Sequence, residues 1–336
     1  NASFALSASS GVRHGLAGLA ISVATRCGWV MKTVRYGKNL VQKPDAILIA
    51  GPTASGKSKL ALQQALHWGG EIVNADSMQI YPVLNVLTAR PSQGDQAIVP
   101  HHLYGFAPVD RPFSVAQWLK RANSEASEIW ERGKLPVFVG GTGLYFKALE
   151  HGLAEIPDLP ADIRHGIRSD LLRGGSEKLH ERLQHLDPAG AARLNPGDSQ
   201  RIARALEVVT ATGQSLLEYQ NRPTSPSVLS GKSVVKTVLL PPRSTLCERI
   251  DERAEWMIGN GAMDEVMELL KLDLSSALPV MKAIGVRQLA LYLDGALSLD
   301  EATVEIKTAT RQYAKRQSTW FRGQLGDGWD IDESCL

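Results

Sequence analysis

The sequence predicts an α/β protein: a parallel sheet with helices on both faces, interrupted by a helical insertion. Three observations carry this. Short apolar runs at 46–50 (AILIA), 71–75 (EIVNA) and 135–139 (LPVFV) alternate with helix-like stretches, the pattern of strand-helix-strand crossovers. The first run passes directly into a glycine-containing loop and then a helix. Beyond Gly152 strand-like runs cease until 234–240 (VVKTVLL). The expected organisation is a basic N-terminal extension at 1–44, a core built from 45–150 and 229–336, and a mainly helical insertion at 151–228.

Each element has a local reason. Residues 1–44 hold six Lys/Arg and no Asp or Glu. That is the composition of an organellar transit peptide and equally of a disordered or non-native extension. After the strand at 46–50, residues 59–68 place Leu60, Leu62 and Leu66 at helical spacing. The run at 71–75 ends in Asp76. Ser114 is a natural N-cap for a helix to 132 that carries Val115, Trp118, Leu119, Ala122 and Ile129 at helical spacing. The third run empties into Gly140-Gly141-Thr142-Gly143, where Thr142 can cap a helix whose Leu144, Tyr145 and Leu149 read as core packing. Pro157, Pro160, Gly174, Gly175 and Pro188 punctuate the insertion, and from Arg243 onward the pattern is helical.

Composition excludes several classes. With 336 residues, 43% of them hydrophobic, the chain can bury its own core. No apolar run approaches the roughly 20 residues of a membrane-spanning helix. Cys27, Cys247 and Cys335 form no CxxC spacing, which argues against a disulfide scaffold or a zinc site and for a reducing, cytoplasmic compartment. The net charge of +2 falls to −4 once residues 1–44 are set aside, with 31 basic against 35 acidic residues. A nucleic-acid partner therefore cannot be read from bulk charge.

The chemistry concentrates in one loop. GPTASGKS (Gly51, Pro52, Thr53, Ala54, Ser55, Gly56, Lys57, Ser58) matches GxxxxGK[ST] between a strand and a helix. Its amides suit phosphate oxygens, Lys57 adds a point charge and Ser58 can ligate Mg²⁺. Asp76 is the one carboxylate at a strand end beside it, and reads as a metal ligand, a general base or a helix cap. Arg249 and Arg253 share a helix face and suit either a diphosphate or intrahelical pairing with Asp251 or Glu255. Arg311, Lys315, Arg316 and Arg322, flanked by Tyr313, Trp320 and Phe321, form a basic, aromatic stretch that suits RNA or a solvated face. Tyr219, His101, His102 and the seven tryptophans show no ligand spacing and read as packing or surface residues.

IAGPTASGKS followed by IVNADSMQIY closely resembles the tRNA dimethylallyltransferase (tRNA isopentenyltransferase) family, bacterial type. The likeness continues through VGGTGLYFKAL (139–149), DSQRIARALEV (198–208), RIDER (249–253), KAIGVRQL (282–289) and TRQYAKRQSTWFR (310–322). The resemblance implies a P-loop-type core and transfer of a dimethylallyl group from dimethylallyl diphosphate to N6 of the adenosine at position 37 of tRNA, with Mg²⁺. It implies Asp76 as proton acceptor, with Thr142 and Arg253 completing the catalytic set, and residues 51–58 at the diphosphate. It assigns tRNA contacts to Asp76, Ser77, Met78, Gln79, Thr142 and Arg164; to Gln200, Arg201, Ile202, Ala203 and Arg204; to Lys282, Ala283, Ile284, Gly285, Val286 and Arg287; and to Thr310, Arg311, Gln312, Tyr313, Ala314, Lys315, Arg316 and Gln317. A monomeric cytoplasmic enzyme is expected.

The chain departs from the family pattern at Val86-Leu87-Thr88-Ala89-Arg90-Pro91, where an IGTAKP-like run is usual, and at Gly105, where an acid is usual. The residues also leave room for an ATP-binding small-molecule kinase, a nucleotide-switched RNA-binding protein, or an adenylate isopentenyltransferase acting on free nucleotide.

Overall fold

The computed structural model describes residues 43–222, 224 and 227–334, so all but the end of the extension expected at 1–44 lies outside the described residues. Among them, β1 (Ala46–Ala50), β2 (Gly70–Asn74), β3 (His101–His102), β4 (Leu135–Gly140), β5 (Val234–Leu239) and β6 (Asp330–Asp332) form one sheet in the order β3-β2-β4-β1-β5-β6, every pair parallel. This is the expected α/β class. All five residues of β1 are buried. Alternate side chains of a strand point to opposite faces, so this run requires cover on both.

The cover comes from α1 (Lys57–Trp68), α3 (Val115–Glu131) and α4 (Gly143–His151), with α1 packed on β2 and β4, and α3 and α4 on the sheet and on each other; α2 (Gln93–Ile98) buries none of its residues. Leu48, Ala50, Val73 and Phe138 join Trp118, Ala122, Phe146 and Leu149 in one apolar cluster. Ser114 caps α3 through a reciprocal box with Gln117. Leu144, expected in the core, is 46% exposed, and α4 buries Tyr145, Phe146, Ala148 and Leu149 instead.

Between α4 and β5, where a helical insertion is expected, lie α5 (Ala161–Leu186), broken at Gly175 where φ is 77°, then α6 (Pro188–Ala191), α7 (Ser199–Thr212) and α8 (Leu216–Gln220). Ile167, Leu179, Leu183, Ile202 and Leu206 form an apolar cluster of their own where α5 packs on α7. The chain then returns through β5 to α9 (Arg243–Gly259), α10 (Ala262–Leu270), α11 (Val286–Leu293) and the long α12 (Leu299–Gln324).

Two strands differ from expectation. β3 and β6 are two and three residues long, His-His and Asp-Ile-Asp, too short and too polar for a hydrophobic pattern to mark. The sheet supplies the stabilisation that their composition lacks. His102, read as a packing or surface residue, bridges Glu71 at 2.7 Å and Glu125 at 2.8 Å, tying the edge strand to β2 and α3. Among the described residues no helix is long and apolar enough to cross a membrane.

Candidate active site

Parallel strands end together, and here the ends of β1, β2 and β4 bring three loops to one edge. Gly140 lets two of them approach: a Cβ on it would lie 2.0 Å from the Ala75 carbonyl oxygen. Asp76 follows that contact and is held by Asn74, a fully buried polar residue in an otherwise apolar setting. Asn74 Oδ1 accepts from the Asp76 amide at 2.9 Å, and Asn74 Nδ2 donates to the carbonyls of Asp76 and Leu103, each at 3.0 Å. The Trp118 indole donates to the Asn74 carbonyl at 3.1 Å. Asp76 caps no helix. Its Oδ1 accepts the Met78 amide at 2.9 Å in a local turn, and the residue lines the cavity described below.

The loop at 51–58 wraps tightly. A Cβ on Gly51 would meet Ser55 Oγ at 2.6 Å, Ala54 adopts φ 63°, and Gly56, at φ 92°, opens α1 without a side-chain cap. The first amides of an uncapped helix carry partial positive charge and suit an anion. Lys57 Nζ folds back to the Pro52 carbonyl at 3.1 Å.

Helices from the far end of the chain complete the loop. Arg253 Nη2 on α9 donates to Thr53 Oγ1 at 2.6 Å. Gln317 on α12 accepts the Thr53 amide at 2.9 Å and donates to the Gly141 carbonyl at 2.8 Å. Asp251 pairs instead with Arg311 and Glu255 with Lys307, across to α12, while Arg253 goes to the loop. The result is a cavity of about 170 Å³ lined by residues 53–59 with Asp76, Gln79, Thr88, Ala89 and Arg253.

Burial sets the electrostatics. Desolvation pulls the Lys57 ammonium down to about 8, against the opposing attraction of Asp76 and with a further push from Arg253. Desolvation also lowers Arg253, again opposed by Asp76. Burial, reinforced by the Asp76 carboxylate, pushes the hydroxyls of Tyr104, Tyr145 and Tyr313 up, so they stay neutral donors. A cation that titrates near 8 gives a signed prediction. Lys57 is charged below that pH and loses its charge above it, so kcat/KM for an anionic substrate should fall as pH rises through about 8. Bound anion favours the ammonium, so the limb in kcat should lie at higher pH. A steady-state profile at saturating and limiting substrate separates the two limbs, and a kcat/KM flat from pH 7 to 9.5 contradicts the assignment.

Several expected tRNA contacts are elsewhere or turned inward. Ile202 and Ala203 belong to the apolar cluster of the insertion; Ala283, Val286, Thr310, Ala314 and Gln317 are buried. Helical spacing forces this, since a contiguous run presents only part of itself to solvent. Arg311 is tied to Asp251, and Phe321 is buried, so the basic stretch on α12 reduces at its centre to exposed Gln312, Lys315 and Arg316, with Arg316 over the Tyr313 ring. Gln200, Arg201, Lys282 and Arg287 are exposed, and Arg204 pairs with Glu207. Arg164 is exposed and donates to the Leu159 carbonyl, and is not among the cavity's lining residues. Thr142 makes no cap to α4. Its Oγ1 accepts the Ser77 amide at 2.9 Å and lies 3.2 Å from Ser77 Oγ.

Thr88 and Ala89, in the run that departs from the family pattern, line the cavity, and Asn74 and Glu265 support it without a motif to mark them. Asn74 left a signal, as the polar residue in a buried strand; Glu265, an acid on a helix, left none.

Hard oxygen donors suit Mg²⁺, which commonly takes one or two protein oxygens together with substrate phosphates. Ser58, exposed at the start of α1 and lining the cavity, offers one such oxygen, with the others left to substrate phosphates. Among the described residues no cluster of three His, Cys, Asp or Glu could hold a metal without a ligand's help.

A GxxxxGK[ST] loop between strand and helix, on a parallel sheet covered by helices, places the chain in the P-loop-like α/β class. Residues 79–324 match the family described as IPP transferase, and the chain belongs to that family of transferases. It is 50% identical over 293 residues to a tRNA dimethylallyltransferase of Rhizobium leguminosarum bv. trifolii, covering 87% of this chain and 98% of the relative. It is 49% identical over 292 residues, with the same coverage, to one of Agrobacterium fabrum. The full-length tRNA isopentenylpyrophosphate transferase of Bacillus halodurans superposes with a TM-score of 0.60 at 34% identity, over 87% of this chain and 90% of that one. A eukaryotic dimethylallyltransferase acting on tRNA gives 0.70 at 27% identity, over 83% and 70%.

Proposed function

We propose that this chain transfers the dimethylallyl group of dimethylallyl diphosphate to N6 of adenosine 37 of tRNA, releasing diphosphate. The observation that carries the reading is one carboxylate, Asp76, facing two cations, Lys57 and Arg253, across a single phosphate-loop cavity. As the C1–O bond breaks, negative charge grows on the leaving diphosphate. The loop amides, Lys57 and Arg253 are arranged to stabilise that growth more than the ground state. The N6 lone pair forms the new C–N bond, and its proton passes to Asp76, which then returns it to solvent. Ser58, together with the diphosphate oxygens, would hold Mg²⁺, which when bound supplies further charge compensation to the diphosphate.

The base must leave its stack to reach the cavity. Exposed Arg201, Arg287, Lys315 and Arg316 are assigned to the tRNA backbone, and the insertion at 151–228 to gripping the substrate. Nucleoside mass spectrometry on unmodified tRNA incubated with dimethylallyl diphosphate and Mg²⁺ tests the reading. A dimethylallyl mass gain on adenosine is expected, absent when AMP replaces tRNA or ATP replaces the donor. Arg253→Ala removes a charge-assisted contact and should raise the KM for dimethylallyl diphosphate by roughly 10–100-fold. An unchanged donor dependence removes Arg253 from the site.

A further inference from the structure

A carboxylate outside the cavity holds one of its walls. Glu265, on the first turn of α10, is about 180 residues from the segment it binds. Its Oε1 accepts the amides of Asn85 at 2.9 Å and Val86 at 2.6 Å, and its Oε2 accepts that of Leu87 at 3.1 Å. These three N–H groups open a turn, and the Ala89 and Arg90 amides return to the carbonyls of Val86 and Asn85. A carboxylate on the leading amides of a turn forms charge-assisted bonds and fixes its orientation. On the other side the turn rests on Gly285, where a Cβ would lie 2.6 Å from Leu87 Cδ2.

The far end of the same turn is in the cavity. Thr88 and Ala89 line it, with Ala89 in the left-handed region at φ 52°. Their carbonyls accept both protons of the Gln79 side-chain amide, at 2.8 and 3.0 Å. With both N–H groups used, Gln79 has only its carbonyl oxygen to offer, so it can serve the site solely as an acceptor. An exocyclic amine carries two protons. One goes to the base during transfer, and the other needs an acceptor that holds the amine in line.

We propose that Glu265 is a positioning residue for transfer: by clamping the turn at 85–90 it locks Gln79 as the acceptor that orients the N6 amine toward Asp76. This rests on the reaction proposed above. The experiment is a double-mutant cycle with tRNA and dimethylallyl diphosphate, read as kcat and KM, together with amide hydrogen exchange at 85–87. Glu265→Ala should lower kcat by about 10²-fold, as misplacement at a reacting centre does, with the donor KM changed less than about 3-fold. Added to Gln79→Ala it should cost little more, because the two act through one contact. Glu265→Gln keeps the Oε1 acceptor but turns a donor toward the Leu87 amide, so it should fall between wild type and Glu265→Ala while retaining the fold. Exchange at 85–87 should accelerate in both variants. Additive losses, an equal fall in donor affinity, or unchanged exchange with unchanged kcat each overturn the positioning role alone. Wild-type protein that leaves tRNA unmodified overturns the proposed reaction, and the positioning role with it.

Discussion

Asp76→Asn is expected to lower the rate of prenyl transfer by roughly 10²–10⁴-fold while leaving diphosphate binding intact, the cost of losing a positioned general base. Asparagine is the informative replacement. It retains an Oδ1 that accepts the Met78 amide, and the three contacts from Asn74 go to the Asp76 backbone or to Leu103, so the local turn survives. Only the basic oxygen is lost. Removing a negative charge opposite Lys57 and Arg253 leaves the cavity more positive, so inorganic diphosphate should bind as well or better. Single-turnover transfer and calorimetric titration with diphosphate measure the two quantities separately. Joint loss of turnover and diphosphate affinity shows that Asp76 serves the anion site or the fold, and its role as proton acceptor is then withdrawn.

Lys57→Met should lower kcat/KM for dimethylallyl diphosphate by roughly 10²–10³-fold, the loss seen when a preorganised group aimed at developing charge is removed. Burial has already pulled this ammonium down to about 8, so in the empty cavity it is poorly solvated and has Asp76 as its attractive neighbour. An incoming diphosphate supplies compensation that water does not. Methionine keeps the stem of the side chain and removes the charge. The fall in kcat/KM above pH 8 should disappear in the variant along with the activity, because the titrating group is gone. A variant that keeps the alkaline limb shows that some other group sets it.

The two halves of the cavity were unequally legible. GPTASGKS declared its role because strand, loop and helix are consecutive, and because Gly51 and Gly56 answer local steric demands, a 2.6 Å approach by Ser55 Oγ and a φ of 92°. Asp76 was legible as the acid ending a strand. The wall opposite was legible only as a departure from the family pattern at 86–91, not in what holds it. Thr88 and Ala89 take their places through Glu265 and Gly285, whose partners lie about 180–200 residues away and share no spacing rule with them. The same distance hid Gln317. Sequence placed it in a basic, RNA-facing stretch, whereas the fold buries it between Thr53 and Gly141.

Hydrophobic periodicity and turn chemistry act over a few residues, so local sequence alone decided the parallel core, the helical stretch between its halves and the glycine-rich loop. Tertiary structure decided which of the many cations face the cavity. Arg253 reaches Thr53, while Arg311 and Lys307 are spent on Asp251 and Glu255. It also decided that two-residue β3 and three-residue β6 exist at all. The physical reason is common to both. A salt bridge or an edge strand is stabilised by whichever partner folding brings beside it, and that partner is set by the packing of the whole chain rather than by neighbours in sequence.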